Sequence, residues 1–283
     1  MDDEQRVSEI ELSRRAYRRK QSVRSVVVSC VSLLVFAAAI YFTLSRSEGW
    51  ARVRQTFFNP RYFFEALPVV FQGLLMNLRV LLAAVAGVAV LATLIAITRT
   101  TISPVLFPLR ALATIYTDVF RGMPMIIVLY LVGFGIPGLR IFGRIDSTLL
   151  GTIAVILVYS AYVAEVIRAG IEAVHPSQRA AARSLGLSHA QTMRIIVLPQ
   201  AVRKVVPALM NDFVAMQKDV GLVSVLGAID AVRSAQILVS KSYNFTPYVA
   251  AGLLFTLMSL PFIHLTDWYA ERLKRREQAG GAV

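Results

Sequence analysis

The sequence predicts an all-α integral membrane protein with about six spans, on three observations. Its 283 residues are 56% hydrophobic and only 17% charged, where a soluble chain carries about a quarter. The mean hydropathy is +0.61. Several runs of roughly twenty residues hold few or no charges, enough at about 1.5 Å rise each to cross a bilayer core. The 30 Lys and Arg gather in the segments flanking those runs. That placement assigns the net charge of +13 to an anionic inner leaflet and excludes nucleic acid as a partner.

The elements follow in order. Residues 1–24 alternate charge without apolar periodicity, so they read as a basic, mobile cytoplasmic tail. Residues 25–44 resemble a signal peptide, but the apolar run is long and the exit SRSEGW has no small-x-small cleavage site, so a retained anchor is expected. Residues 45–72 contain FFNPRYFFEALPVVF, whose aromatics suit an external segment in the headgroup zone. Further spans are expected at 73–97, 112–135, 148–168, 202–218 and 246–266, with a cytoplasmic tail over 271–283. On this map the inner segments hold 17 Lys/Arg, or 19 with Arg203 and Lys204, against 8 outside. The excess places both termini in the cytoplasm.

Between the spans at 148–168 and 202–218 lies a charged elbow, RAAARSLGLSHAQTMRIIVLPQAVRK, from Arg179 to Lys204. Pro176 suits the first turn of a helix, and Ala180, Ala181 and Ala182 give it high propensity with little bulk. Gly186 suits the left-handed position that ends it. Ser188 with Gln191 forms a capping-box pattern that starts a second helix, with Ala190, Met193 and Val197 on one face and Pro199 ending the run. The product is a short knuckle whose small residues let another protein come close.

The spacing A-A-x-x-x-G-x(9)-I-x-L-P, filled by Ala181, Ala182, Gly186, Ile196, Leu198 and Pro199, resembles the coupling loop of ATP-binding-cassette (ABC) importer permeases. AYVAEVIRAGIEAV, LPQAVRKVVPALMNDF, FRGMP and KDVGLVSVLG resemble the polar-amino-acid branch of that family, and the resemblance covers roughly residues 70–270. It implies the transmembrane domain of a type I ABC importer, with residues 73–270 as its core, in a bacterial inner membrane. It also implies a dimer of ATPase subunits docked at the elbow, a second permease subunit, identical or homologous, and an extracytoplasmic amino-acid-binding protein. ATP and Mg would be held by the ATPase. The anchor at 25–44 lies outside the resemblance. Three motifs depart from the family pattern, at four positions: Ala180 replaces a glutamate, Val220-Gly221 replace Thr-Ser, and Met123 replaces a threonine.

Charges within apolar runs are costly and mark candidate pathway residues. Asp118 and Arg121 sit three apart and could pair, either along the path where Gly122 and Pro124 break the helix or at the cytoplasmic surface. Glu165 and Arg168 form another such pair, structural or gating. Asn211 and Asp212 lie within a span that ends at Lys218 and Asp219. Asp212 and Asp219, seven apart, share a face, suited either to an amino acid's ammonium group or to an internal Asp–Lys bridge. Lys218 is available for a carboxylate.

No Gly-x4-Gly-Lys phosphate loop occurs, so the chain is not itself an ATPase and needs no cofactor of its own. The lone Cys30 and the histidines at 175, 189 and 264 offer neither a metal site nor a nucleophile–base pair, which argues against an intramembrane enzyme. An ion-coupled secondary transporter remains the alternative, although no internal repeat supports it.

Overall fold

The computed structural model describes residues 9–101, 103–141 and 143–280, all helix or connecting turn with no strand. These residues fall into two units, one ending at Thr56 and the other beginning at Phe57. Four helical runs are long and apolar enough to cross a membrane, or up to six when each of two bent pairs is one span.

The first unit holds α1 (Glu9–Ser45) and most of α2 (Trp50–Phe57). A mobile tail was expected through residue 24, but from Glu9 onward the chain is helical; residues 1–8 lie outside the described residues. The reason is composition: no Gly or Pro interrupts Glu9–Ser45, and Arg, Lys, Gln and Ala lose little freedom in a helix. The apolar stretch of α1 is exposed on every side, as suits a helix that meets lipid.

In the second unit α3 (Pro60–Thr100) is a single helix of 41 residues. The separate external segment expected up to residue 72 is therefore not separate. Asn59 caps α3 by accepting the Arg61 N–H, Pro60 occupies the first turn, and Pro68 is carried inside the helix. The span expected at 112–135 is two helices, α4 (Phe107–Gly122) and α5 (Met125–Gly138), bent by 111°. Pro124 forces Met123 into extended backbone, which ends α4 there.

Helix α6 (Ser147–Glu172) lies at the centre, packed on α3, α4, α5 and α9 (Leu198–Asp219). Its Ala154, Val155, Val158 and Ala164 meet Ala84, Val88, Ala92 and Ala96 of α3 in one core cluster. Small side chains on both faces let the two backbones approach, which in a lipid medium replaces the hydrophobic drive between helices. Gly87 of α3 shows how close this is: a Cβ there would lie 2.4 Å from Ile156 Cδ1 of α6.

The elbow comprises α7 (Pro176–Ser184) and α8 (His189–Thr192), and α8 runs through a π-turn at Met193–Val197 straight into α9. Pro199 does not end the second helix, as the sequence reading expected. It sits in the first turn of α9, and the wider π-turn before it accommodates a residue without an N–H. The same turn shifts the register. Met193 and Val197 pack beside Ile171, Val174 and Ala201, while Ala190 stays exposed.

Beyond α9 the chain tightens into a 3-10 turn (Val220–Leu226), then α10 (Ala231–Ser242) and α11 (Thr246–Gly280). Asn77 of α3 fastens this region. Its side chain donates to Val220 O (3.1 Å) and Asp230 Oδ2 (3.0 Å) and accepts the Ala231 N–H (3.0 Å).

Candidate functional site: the elbow and the charged groups behind it

Local backbone chemistry shapes the elbow. His175 Nδ1 accepts the Ser177 N–H at the start of α7. At its end Gly186 adopts φ +80°, with Gly186 N–H donating to Arg183 O (3.0 Å) and Leu187 N–H to Ala182 O (3.2 Å). This is the paired closure that a left-handed glycine permits. Ser188 and Gln191 then cap each other's backbone N–H groups, starting α8.

The elbow is stitched to both flanking spans. Arg179 Nη2 donates to Ile171 O at the end of α6 (2.5 Å), and Lys204 Nζ donates to Ala173 O (2.8 Å). Gln200 Nε2 of α9 donates to Gln178 Oε1 of α7 (2.5 Å). α7 is thereby hydrogen-bonded to the end of α6 and to α9. Ala180, Ala181, Leu198 and Pro199 are exposed, Ile196 is half-buried, and Ala182 is buried beneath the knuckle. The outward surface combines the small side chains of Ala180 and Ala181 with the exposed Leu185 and Arg183.

Near the elbow, Glu165 is the hub of a charged cluster. Its Oε2 meets Arg99 Nη1 of α3 at 2.7 Å, its Oε1 meets Arg168 Nη2 at 2.5 Å, and Arg121 Nη1 of α4 stands 3.8 Å away. Arg168 also binds Glu172. Asp118 does not take Arg121: its side chain is exposed, and Arg121 turns toward Glu165 and lies over the Tyr162 ring. The expected Asp118–Arg121 pair is thus replaced by a contact between helices, because the bend at Gly122–Pro124 presents Arg121 to α6. Tyr162 OH donates to Arg121 O (3.2 Å), fixing that bend on α6.

Farther along α9, Asp212 and Asp219 line one cavity of about 300 Å³ with Tyr159, Tyr162, Met123, Pro124 and Met125. Asp219 Oδ2 accepts from Tyr159 OH (2.8 Å). Asp212 Oδ2 is buried without a hydrogen-bond partner. Asn211 and Lys218 are exposed on a different side of α9, so no Asp–Lys bridge forms: Asp219 is held by a tyrosine instead. The cavity presents two carboxylates and two aromatic rings, a chemistry that suits a cation. No cluster of three or more His, Cys, Asp or Glu side chains able to hold a metal occurs among the described residues.

Sequence reasoning missed Arg99, Glu172, Tyr159 and Tyr162, and the Asn77–Asp230 lock. Asn77 was legible as a lone amide inside an apolar run, and Tyr162 and Tyr159 lie about one and two turns before Glu165. Arg99 gave no local signal.

Comparison with known proteins adds to this geometry. The profile of the family described as binding-protein-dependent transport system inner membrane component matches residues 106–278, more than half the chain. The "Probable glutamine ABC transporter permease protein GlnM" of Bacillus subtilis is 31% identical over 218 residues, covering 77% of this chain and 99% of that one. The arginine transport system permease protein ArtQ of the same organism is 32% identical over 213 residues, covering 75% and 95%. Among solved structures, an amino acid ABC transporter with histidines superposes at a TM-score of 0.66, with 36% identity over 72% of this chain and 94% of that one.

Proposed function

We propose, from the premise that this chain belongs to the family of binding-protein-dependent transport system inner membrane components, that it is the permease subunit of an amino-acid ABC importer. It is a multi-pass inner-membrane protein of the type I importer fold, and its family works with an ATPase and a substrate-binding protein. The relatives named for glutamine and arginine transport point to a polar amino acid as cargo.

The observation that carries the mechanism is the stitched elbow. Two copies of a permease, or this chain with a homologue, form the pathway, and each elbow docks on one ATPase subunit through Ala180, Ala181, Gly186 and their neighbours. ATP and Mg sit on those ATPases. Their closure drives α7 and α8, and the hydrogen bonds from Arg179, Gln200 and Lys204 carry the displacement into α6 and α9. Because α6 and α9 also carry Tyr159, Asp212 and Asp219, the same motion reshapes the cavity and switches access between the two sides. Both termini face the cytoplasm in this arrangement, and the binding protein delivers substrate from outside.

Support comes from a junction of three facts: the family, the exposed knuckle with Ala180 and Ala181, and its hydrogen bonds to the cavity-bearing helices. Co-expression with a cognate ATPase and binding protein, followed by uptake assays in vesicles, tests the reading. Co-purification and uptake that stops on ATP depletion are expected. Uptake that persists without ATP while an ion gradient is intact would instead establish the secondary transporter.

A further inference from the structure

A cavity of about 800 Å³ in the second unit lies behind the elbow, and the mechanism above assigns it no ligand. Its walls come from the end of α3 (Ile97, Thr100, Thr101), from α6 (Ile167, Ile171), and from Met193 and Leu198. The hydroxyls of Thr93, Thr100 and Thr101 are turned back to carbonyls of their own helix, at Ala89, Ala96 and Ile97, so they offer the cavity no free donor. The lining is therefore apolar in effect. Besides the Ser103 hydroxyl at the cavity edge, two polar groups stand apart from it. Arg183 and His189, on either side of the Gly186 turn, reach the cavity, and neither side chain has a hydrogen bond or ion pair among the described residues.

We infer that this cavity is a binding site for an anionic phospholipid, with an acyl chain along Ile97, Ile167, Ile171, Met193 and Leu198 and its phosphate at Arg183 and His189. Two features single out this occupant. Apolar walls of this size need hydrocarbon, which a free phosphate does not supply. A cationic rim at the membrane face of a helix bundle selects an anionic headgroup. Ile97 and Leu198 are 56% and 40% exposed, which leaves the cavity open to its surroundings. The lipid would wedge between the elbow and α3, at the joint where the elbow moves against the bundle. The inference rests on the proposed placement of the elbow at the cytoplasmic leaflet.

The full-length chain, purified alone in detergent, is incubated with phosphatidylglycerol or phosphatidylcholine of matched chain length, and retained lipid is counted by native mass spectrometry. Phosphatidylglycerol is expected to be retained about fivefold better, the factor one surface cation supplies. The double variant R183Q/H189Q is expected to abolish that preference. Ile97→Trp, at an exposed position that does not disturb the core, should lower retention of phosphatidylglycerol by narrowing the entrance. Equal retention of the two lipids, or a preference unchanged by R183Q/H189Q, overturns the site. No ATPase is present in this assay, so its failure is distinct from failure of the importer reading, which co-purification and uptake decide.

Discussion

Arg99 near the end of α3 and Glu165 in α6 meet at 2.7 Å although 66 residues separate them. Their side chains are 11% and 20% exposed, so the pair is largely out of water. Arg168 and Arg121 complete the circle around the same carboxylate. Three helices are joined at one atom group, and the loosest of the joints is the one to Arg121 at the α4–α5 bend.

Removing one side of a buried ion pair strands its partner's charge and costs about 3–5 kcal/mol. The residual exposure of Glu165 places Glu165→Ala at the lower end, about 3 kcal/mol. Chemical unfolding of the detergent-solubilised chain measures this. A double-mutant cycle with Arg99→Ala should return a coupling above about 1 kcal/mol. A coupling near zero would mean that Arg168 alone holds the carboxylate and that Arg99 is a bystander.

The difference between what could and could not be read from the sequence has a physical basis in this cluster. Glu165 with Arg168 is a contact within one helix turn, and the elbow is a series of backbone events at Pro176, Gly186, Ser188 and Gln191, each decided by its immediate neighbours. Such features are written locally. Arg99–Glu165, Asn77–Asp230 and Tyr159–Asp219 span 66, 153 and 60 residues, and they exist only because packing brings α3, α6, α9 and the start of α10 together. Pro199 was misread for a related reason. Proline ends a helix or starts one equally well, and the π-turn that decides between them has no sequence signature of its own.

Gly186 offers a sharper test of the elbow. Its φ of +80° strains any residue with a Cβ by roughly 1–2 kcal/mol, yet a Cβ there would meet nothing within 4 Å. The penalty is purely conformational, so residues that tolerate left-handed backbone should do best. Gly186→Asn is expected to retain most substrate-stimulated ATP hydrolysis by the assembled complex, and Gly186→Val to lose it, with membrane insertion unchanged in both. Equal activities in Asn and Val variants would separate the turn from coupling.

Ala180 is exposed on the outward face of α7, where the family pattern has a glutamate. Restoring the carboxylate by Ala180→Glu adds an acceptor beside Arg179 and Arg183, at the surface proposed to meet the ATPase. A change in affinity for the ATPase of about fivefold in either direction is expected, the scale of a single charge–charge contact at an interface rim. Biolayer interferometry with the permease in nanodiscs reads it directly. Unaltered binding would place position 180 outside the contact.

Asp212 permits function to be separated from stability. Its buried Oδ2 has no hydrogen-bond partner, so the folded chain bears an uncompensated polar burial there, whereas Asp219 is secured by Tyr159. A group retained at such a cost is expected to bind something, and the two aromatic rings beside it favour a cation. Asp212→Asn should therefore leave the unfolding midpoint unchanged or raised while lowering uptake of the cognate amino acid by about tenfold, the loss of one charge-assisted hydrogen bond. Tyr159→Phe frees the Asp219 carboxylate and should lower stability by about 1 kcal/mol, because it removes a hydrogen bond that the fold itself uses. Matched thermal melts and uptake assays on the two variants decide the matter. If Asp212→Asn loses stability and keeps uptake, the carboxylate is part of the scaffold and the cavity it lines is not the pathway.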